Sequence, residues 1–310
     1  MAPNSSEPQL LPVASGVYAW IGAGGDSNAG AVETSDGMLV IDTQQYPRLG
    51  RQFRDALQGS TGKPVRSVIN THCHLDHTAG NVVFVDVPIL AHEKTLAAMQ
   101  QNLGAKTGVH WEVADYRTKI RMLFGQNLFD LVPENDPAQE WFRHRISLPD
   151  YDTLTIVPPN ETFADHFTFH LPHDIVYLHY WGPAHCDGDV IVYLQSSKVV
   201  FLGDLLFCGR FPWLGDCDLN GWIDRLGRVL TLDVQVVVPG HGTPTTLHQV
   251  AHFRDMLRAL RSAVDTAIRS GLSEDAAVRE ISLPQYADIP RYRDWMPMNV
   301  KSAYRHLHGA

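Results

Sequence analysis

The run Thr71-His72-Cys73-His74-Leu75-Asp76-His77 sets three imidazoles and a carboxylate within six residues, and no other feature constrains this chain as tightly. A core seldom buries three histidines and an acid together, because each brings polar atoms that need partners. Imidazole nitrogen and carboxylate oxygen are, however, the ligands that zinc and neighbouring first-row metals prefer. Residues two apart in an extended segment point the same way, so His72 and His74 can grip one ion together. Asp76 and His77 follow where the chain can turn into a helix, Asp76-His77-Thr78-Ala79-Gly80-Asn81, and so can face a second ion. The run reads as a metal site rather than a polar loop with chance histidines.

Such a site needs partners from elsewhere, and three candidates stand at expected strand ends beside glycine. His185 lies in Gly182-Pro183-Ala184-His185-Cys186-Asp187-Gly188-Asp189. Asp204 follows the apolar run Val199-Val200-Phe201-Leu202-Gly203, and His241 sits in Val236-Val237-Val238-Pro239-Gly240-His241-Gly242. β-Branched apolar runs read as buried strands, and glycine at their ends lets the backbone turn sharply beside a ligand. Strand ends are where α/β scaffolds place their chemistry.

With these residues in this order, the sequence resembles the metallo-β-lactamase superfamily of hydrolases. The resemblance runs from Gly16-Val17-Tyr18 and the Val40-Ile41-Asp42-Thr43 strand end through THCHLDH, GPAH and LGD to the PGHG histidine at 241. It implies an α/β fold, a four-layer αββα sandwich with two metals at one edge. It further implies that His72, His74 and His185 hold a first zinc, that Asp76, His77 and His241 hold a second, and that Asp204 bridges them. An aspartate at the bridging position looks like glyoxalase II, the lactonases and the alkylsulfatases. Dedicated β-lactamases carry cysteine there, followed by a lysine for the substrate carboxylate, whereas residue 207 here is Phe. The tyrosine that acyl-homoserine lactone lactonases place three residues after their bridging aspartate is also missing.

The chemistry implied is hydrolysis by a dizinc enzyme. Two nearby divalent ions lower the pKa of a shared water, and the metal-bridging hydroxide attacks an ester, thioester, lactone or related bond in a small molecule. Asp76 is the expected catalytic carboxylate, orienting that hydroxide, and Asp42 either braces the metal loop or tunes a ligand imidazole. Two alternatives stay open: a mononuclear iron oxygenase resembling the persulfide dioxygenases, and a non-catalytic metal-binding protein.

The length of 310 residues and 44% hydrophobic content suit one large α/β domain over 1–310, since motifs from 72 to 241 would converge on one site. The formal charge of −9 argues against nucleic acid, which needs a basic stripe. No apolar stretch approaches a membrane span, and residues 1–15 lack a basic start and an apolar run, so a cytoplasmic protein is expected. A small molecule is the expected partner, with a homodimer as a further possibility.

A helical insertion is expected near the metal edge at about 93–147. One helix pattern starts at Ala91 and runs to about Leu103, and a second spans Trp111 to Phe124 before Trp141 and Phe142. The pair would serve as a lid or as a packing surface. His110, His144, His166, His170, His173 and His179 show no tight ligand spacing. Cys73 and Cys186 read as small buried packers, and Cys208 and Cys217 show neither metal spacing nor a reason to pair. After 244 the pattern is helical, with one helix over Thr245–Gly271 and another starting at Ser273. Tyr286, Tyr292, Trp295 and Tyr304 read as surface or interface anchors.

Overall fold

Short β-branched runs alternate their side chains between two apolar faces, and that alternation builds two sheets, each covered on both sides. The computed structural model describes residues 7–23, 26–102, 140, 143–144, 147–151, 154–215 and 217–309. In the first sheet β1 (Gln9–Ala14), β2 (Val17–Ile21), β3 (Ala29–Glu33) and β4 (Met38–Ile41) form an antiparallel meander. Strands β5 (Val65–Ile69), β6 (Ile89–His92) and β7 (Glu161–Phe163) extend it in parallel, in the order β1 to β7. The second sheet runs β12-β11-β10-β9-β8, from β8 (His166–His170), β9 (Ile175–Tyr180), β10 (Val190–Leu194), β11 (Val199–Phe201) and β12 (Val236–Val238). Its strands are antiparallel except for the β11–β12 pair.

Between the sheets, Leu39, Ile41 and Ile69 meet Val192, Leu194, Phe201 and Val238. Their neighbours one residue away face outward, as period-two geometry requires. Val40 and Val68 turn to Phe53 and Leu57 of helix α1 (Pro47–Thr61), and Ile191, Val200 and Val237 turn to the helices on the opposite side. Those helices are α4 (Leu219–Val229), α5 (Leu247–Arg269), α6 (Glu274–Glu280) and α7 (Tyr292–His308), after the short α2 (Leu75–Thr78) and α3 (Glu93–Asn102). The layers are therefore αββα, as expected. Each buried Leu, Ile or Val contributes about 1.5–3 kcal/mol, so the inter-sheet seam alone is a large part of the driving force.

Two expectations change. Ala91 and His92 end strand β6 rather than begin a helix, because Ala91 pairs with Thr162 in the parallel ladder; α3 starts at Glu93. Tyr286, Tyr292 and Trp295 are buried in the helical layer rather than anchored at the surface, and the half-buried Tyr304 donates its hydroxyl to Leu272 O at 2.8 Å. The expected helix over Trp111–Phe124, and Trp141 and Phe142 after it, lie outside the described residues. No described helix is long and apolar enough to cross a membrane.

Candidate metal centre

The ends of β4, β5, β9, β11 and β12 open at one edge of the sandwich, and each delivers a polar residue there. After β5 the chain passes Asn70 and Thr71 into His72, stays extended at His74 (φ −68°, ψ 142°), and turns into α2, which carries Asp76 and His77. His185 lies between β9 and β10, Asp204 in the turn after β11, and His241 after β12. The turn at Gly203 has φ +50°. At Gly240 a Cβ would stand 2.0 Å from Asp204 Oδ1, so only glycine lets this loop close on the carboxylate.

The seven residues converge as two groups that share Asp204: His72, His74, His185 and Asp204, and then Asp76, His77, His241 and Asp204. The two oxygens of Asp204 divide between them. Oδ2 lies 3.5 Å from His185 Nε2 and 3.9 Å from His72 Nε2, while His185 Nε2 is 3.1 Å from His74 Nδ1. Oδ1 lies 3.1 Å from His77 Nε2 and 3.3 Å from His241 Nε2, and His241 Nε2 is 3.2 Å from Asp76 Oδ2. Two ligand atoms on one tetrahedral zinc, each about 2.0–2.2 Å from the ion, sit about 3.4 Å apart. Among the described residues these are the only groups of this kind, so His144, His166, His170, His173 and His179 form no further one; His110 lies outside them.

Hydrogen bonds behind the imidazoles decide which nitrogen faces inward. Asp42, at φ +57°, accepts Thr71 N–H at 2.8 Å on Oδ1 and the Thr71 hydroxyl at 2.7 Å on Oδ2. The same Oδ2 is 2.9 Å from His77 Nδ1, which assigns the proton to Nδ1 and leaves the Nε2 lone pair inward. Having given its own proton to Asp42, Thr71 Oγ1 accepts from His72 Nδ1 at 3.0 Å. His72 Nε2, fully buried, then has no hydrogen-bond partner. A buried lone pair without a donor costs about 1–3 kcal/mol, which a cation in the first group resolves; in the second group His77 Nε2 faces the Asp204 carboxylate, an approach that a metal ion, or a proton in its place, makes favourable. The residues fit a pair of metal ions.

Electrostatics point the same way. Burial holds His72 well below its ordinary pKa and takes His185 down to about 3. Burial also opposes charge on His77, but the Asp204, Asp76 and Asp42 carboxylates outweigh it and hold His77 well above the usual value. Against burial, His241 and His77 hold Asp204 well below the usual carboxylate range, and His77, with help from His241, holds Asp76 down. In the metal-free chain a proton on His77 thus does the charge balancing of a second cation.

Asp76 keeps 22% side-chain exposure while Asp204 keeps 4% and His72, His77 and His241 at most 1%, so the site opens on the Asp76 side. The opposite wall is aromatic. Phe207 stacks on His241 with centroids 5.3 Å apart, and Trp222 meets His185 edge-on at 5.1 Å. Residue 207, where β-lactamases carry their lysine, therefore serves as a buried floor.

The sequence reading missed two residues. Asn28 clamps the His241 loop, donating from Nδ2 to Pro239 O at 2.9 Å and Gly242 O at 2.7 Å, and from its backbone to Gly240 O at 2.7 Å. Ser27 donates its hydroxyl to Asp76 O. Neither lies in a motif; only their place just before β3 hinted at a loop that could reach the site. Asp42 does both things entertained for it, bracing Thr71 and orienting His77.

A sequence profile described as "Metallo-beta-lactamase superfamily" matches residues 22–241. The chain is 26% identical over 267 residues to the 2,4-dinitroanisole O-demethylase subunit alpha of Nocardioides sp. (strain JS1661), covering 84% of this chain and 64% of that one. It is 20% identical over 269 residues to the linear primary-alkylsulfatase of Pseudomonas sp. (strain ATCC 19151), covering 82% of this chain and 50% of that one. The chain thus spans less than two thirds of the length of these relatives. The structure of the stereoselective inverting sec-alkylsulfatase Pisa1 from Pseudomonas sp. superposes with TM-score 0.68 and 18% identity, over 96% of this chain and 50% of that one.

Proposed function

The chain belongs to the metallo-β-lactamase superfamily, and from that membership we propose that it is a dizinc hydrolase acting on a small-molecule ester, thioester, lactone or related bond. That it is a metal-dependent hydrolase rests on the superfamily and on the paired His/Asp groups. The observation that carries the two-ion reading is the division of Asp204, one oxygen toward each group.

In this reading His72, His74 and His185 would hold one zinc, Asp76, His77 and His241 would hold the other, and Asp204 would serve both groups. Ions bound there supply Lewis acidity, polarising the bond to be cleaved and bringing the pKa of water toward neutrality. The protein does the rest. Asp42 and Thr71 keep His77 and His72 turned with Nε2 inward. Phe207 and Trp222 keep water from the rear of the site, which strengthens every charge interaction within it. Asp76, half-buried and the most accessible carboxylate of the site, is placed to orient a water toward substrate at the open side. We read residues 1–310 as one domain, because residues from 27 to 242 meet at this single edge.

Elemental analysis of protein purified without chelator tests this directly. The expected result is about two zinc ions per chain and hydrolysis within a panel of carboxylic esters, thioesters, lactones, alkyl sulfates and aryl methyl ethers. One iron with little zinc would overturn the dizinc reading in favour of the oxygenase alternative. Asp204→Ala should lose both ions and all turnover while keeping the wild-type circular dichroism spectrum; retained activity would remove Asp204 from its bridging role.

A further inference from the structure

Among the described residues four strands end the two sheets, and three of them are blocked against further pairing. Strand β1 carries Pro12 and a shift of register between Pro12 and Ala14. Strand β7 is three residues long and includes the exposed Glu161. Strand β12 is bridged on its outer side by Thr245, which exchanges hydrogen bonds with Val237 at 2.8 and 2.9 Å. Strand β8 has none of these protections. Its residues, His166-Phe167-Thr168-Phe169-His170, include no Asp, Glu, Lys, Arg, Pro or Gly, and nothing among the described residues pairs with its outer side.

The hydrogen bonds at either end of β8 show which of its backbone groups are free. Tyr180 N–H donates to Asp165 O at 3.1 Å, and Leu171 N–H donates to Asp174 O at 2.9 Å. Odd-numbered residues therefore bond β9, and in an antiparallel ladder the residues between them point away. His166, Thr168 and His170 thus turn their N–H and C=O groups toward the open edge. Side chains alternate in the same way, so Phe167 and Phe169 share one face, with ring centroids 5.0 Å apart. Phe167 is 38% exposed, and among the described residues only Val85 is another large apolar side chain left so open.

The strand reads identically in both directions. An antiparallel copy related by a two-fold axis through Thr168 therefore meets it like for like, with Thr168 opposite Thr168, His166 opposite His170 and Phe167 opposite Phe169. The parity matches as well. Each pair of even-numbered residues brings outward N–H and C=O groups face to face, so every free backbone group of the strand finds a partner. Phe167 and Phe169 fall at the closer, non-hydrogen-bonded positions, where the rings of the two copies cover one another.

We propose that β8 is a dimerisation edge: two copies of this chain pair antiparallel through His166–His170 about Thr168, joining their second sheets into one continuous sheet. An unrelated extended peptide would satisfy the backbone groups alone, whereas a second copy satisfies the groups, the phenyl faces and the register together. A strand-to-strand interface of this length buries less than about 1,200 Å², so the dimer dissociates in the micromolar range.

Sedimentation velocity of the full chain tests this, because the mass should rise with concentration from 34.6 kDa toward twice that value. Hydrogen exchange at single-residue resolution locates the contact. The amides of His166, Thr168 and His170 should exchange at least ~10-fold more slowly in concentrated than in dilute protein, while those of Phe167 and Phe169, bonded to β9 throughout, should change little. Thr168→Pro removes the central outward N–H at an edge position that tolerates proline, and should raise the dissociation constant at least ~10-fold. Thr168→Lys sets two ammonium groups opposite each other and should weaken the dimer similarly, which keeps the test decisive if the proline variant misfolds. A mass of 34.6 kDa at every concentration, a dimer whose β8 amides lack that alternation, or a folded Thr168→Lys variant that associates as tightly as wild type would each overturn the proposal. None of these readouts needs metal or turnover, so the outcome stands apart from whether the hydrolase reading holds.

Discussion

Asp42 stabilises the fold and orients a proposed ligand through the same carboxylate, and two substitutions separate those roles. Alanine removes the acceptor for Thr71 N–H, the Thr71 hydroxyl and His77 Nδ1–H. His72 Nδ1 already carries a proton and cannot accept the hydroxyl, so three buried donors are left without partners. At about 1–3 kcal/mol each, Asp42→Ala should cost about 3–9 kcal/mol. The left-handed backbone at φ +57° adds about 1–2 kcal/mol for alanine. Asparagine tolerates that conformation, and its oxygen can still accept Thr71 N–H, so Asp42→Asn should cost only about 1 kcal/mol in stability. Its amide N–H, however, must face His77 Nδ1. The imidazole proton is then driven to Nε2, the atom aimed at Asp204, and zinc affinity at the second group should fall about 10–100-fold. Urea unfolding of chelator-stripped protein measures the first effect, and competition with a chromogenic zinc chelator the second. If Asp42→Asn binds both ions as tightly as wild type, Asp42 does not set the orientation of His77, and the reasoning fails.

Three further outcomes are expected. Burial takes Asp189 up to about 7 from 3.8, so its contribution to the stability of the metal-free fold is fully present below about pH 4 and is lost as pH rises through about 7. Asp189→Asn should remove that slope, worth up to ~4 kcal/mol, and identical pH profiles in urea would refute it. Gly240→Ala places a Cβ 2.0 Å from Asp204 Oδ1 and 2.6 Å from the Gly203 carbonyl carbon; zinc content and melting temperature should both drop, by more than ~2 kcal/mol in stability. Asp218→Ala removes the cap of α4, whose side chain accepts Gly221 N–H at 2.8 Å. It should cost about 1 kcal/mol and leave zinc content unchanged, which differential scanning calorimetry and elemental analysis would show together.

The candidate site was legible where chemistry is encoded locally. HxHxDH needs only an extended segment running into a helical turn, and the chain from Thr71 to Thr78 adopts that shape. Glycines beside Asp204 and His241 announced close approach, and the overlap of a Gly240 Cβ with Asp204 shows why. Asn28 and Ser27 were invisible because their work is to hold loops more than forty residues away, and no local spacing records such a partner. The aromatic C-terminus was misjudged for a related reason. Helical periodicity gives α7 an apolar face but not what covers it, and Tyr292 and Trp295 are buried by packing on Phe211 and Trp213. Ala91 and His92 went to strand rather than helix because the β7 ladder satisfies their backbone.

The amino-acid order alone determined that this chain carries a metal-binding motif, that β-branched runs form buried strands, and that His185, Asp204 and His241 stand at strand ends. Those properties follow from residue type and from periods of two and 3.6, which act over a few neighbours. Only the tertiary structure decided that two groups share one aspartate, that Asp42 turns His77 inward, and that Phe207 is a floor. Each of those depends on how the two sheets stack and which loop ends they bring to the same edge, and no local pattern carries that information.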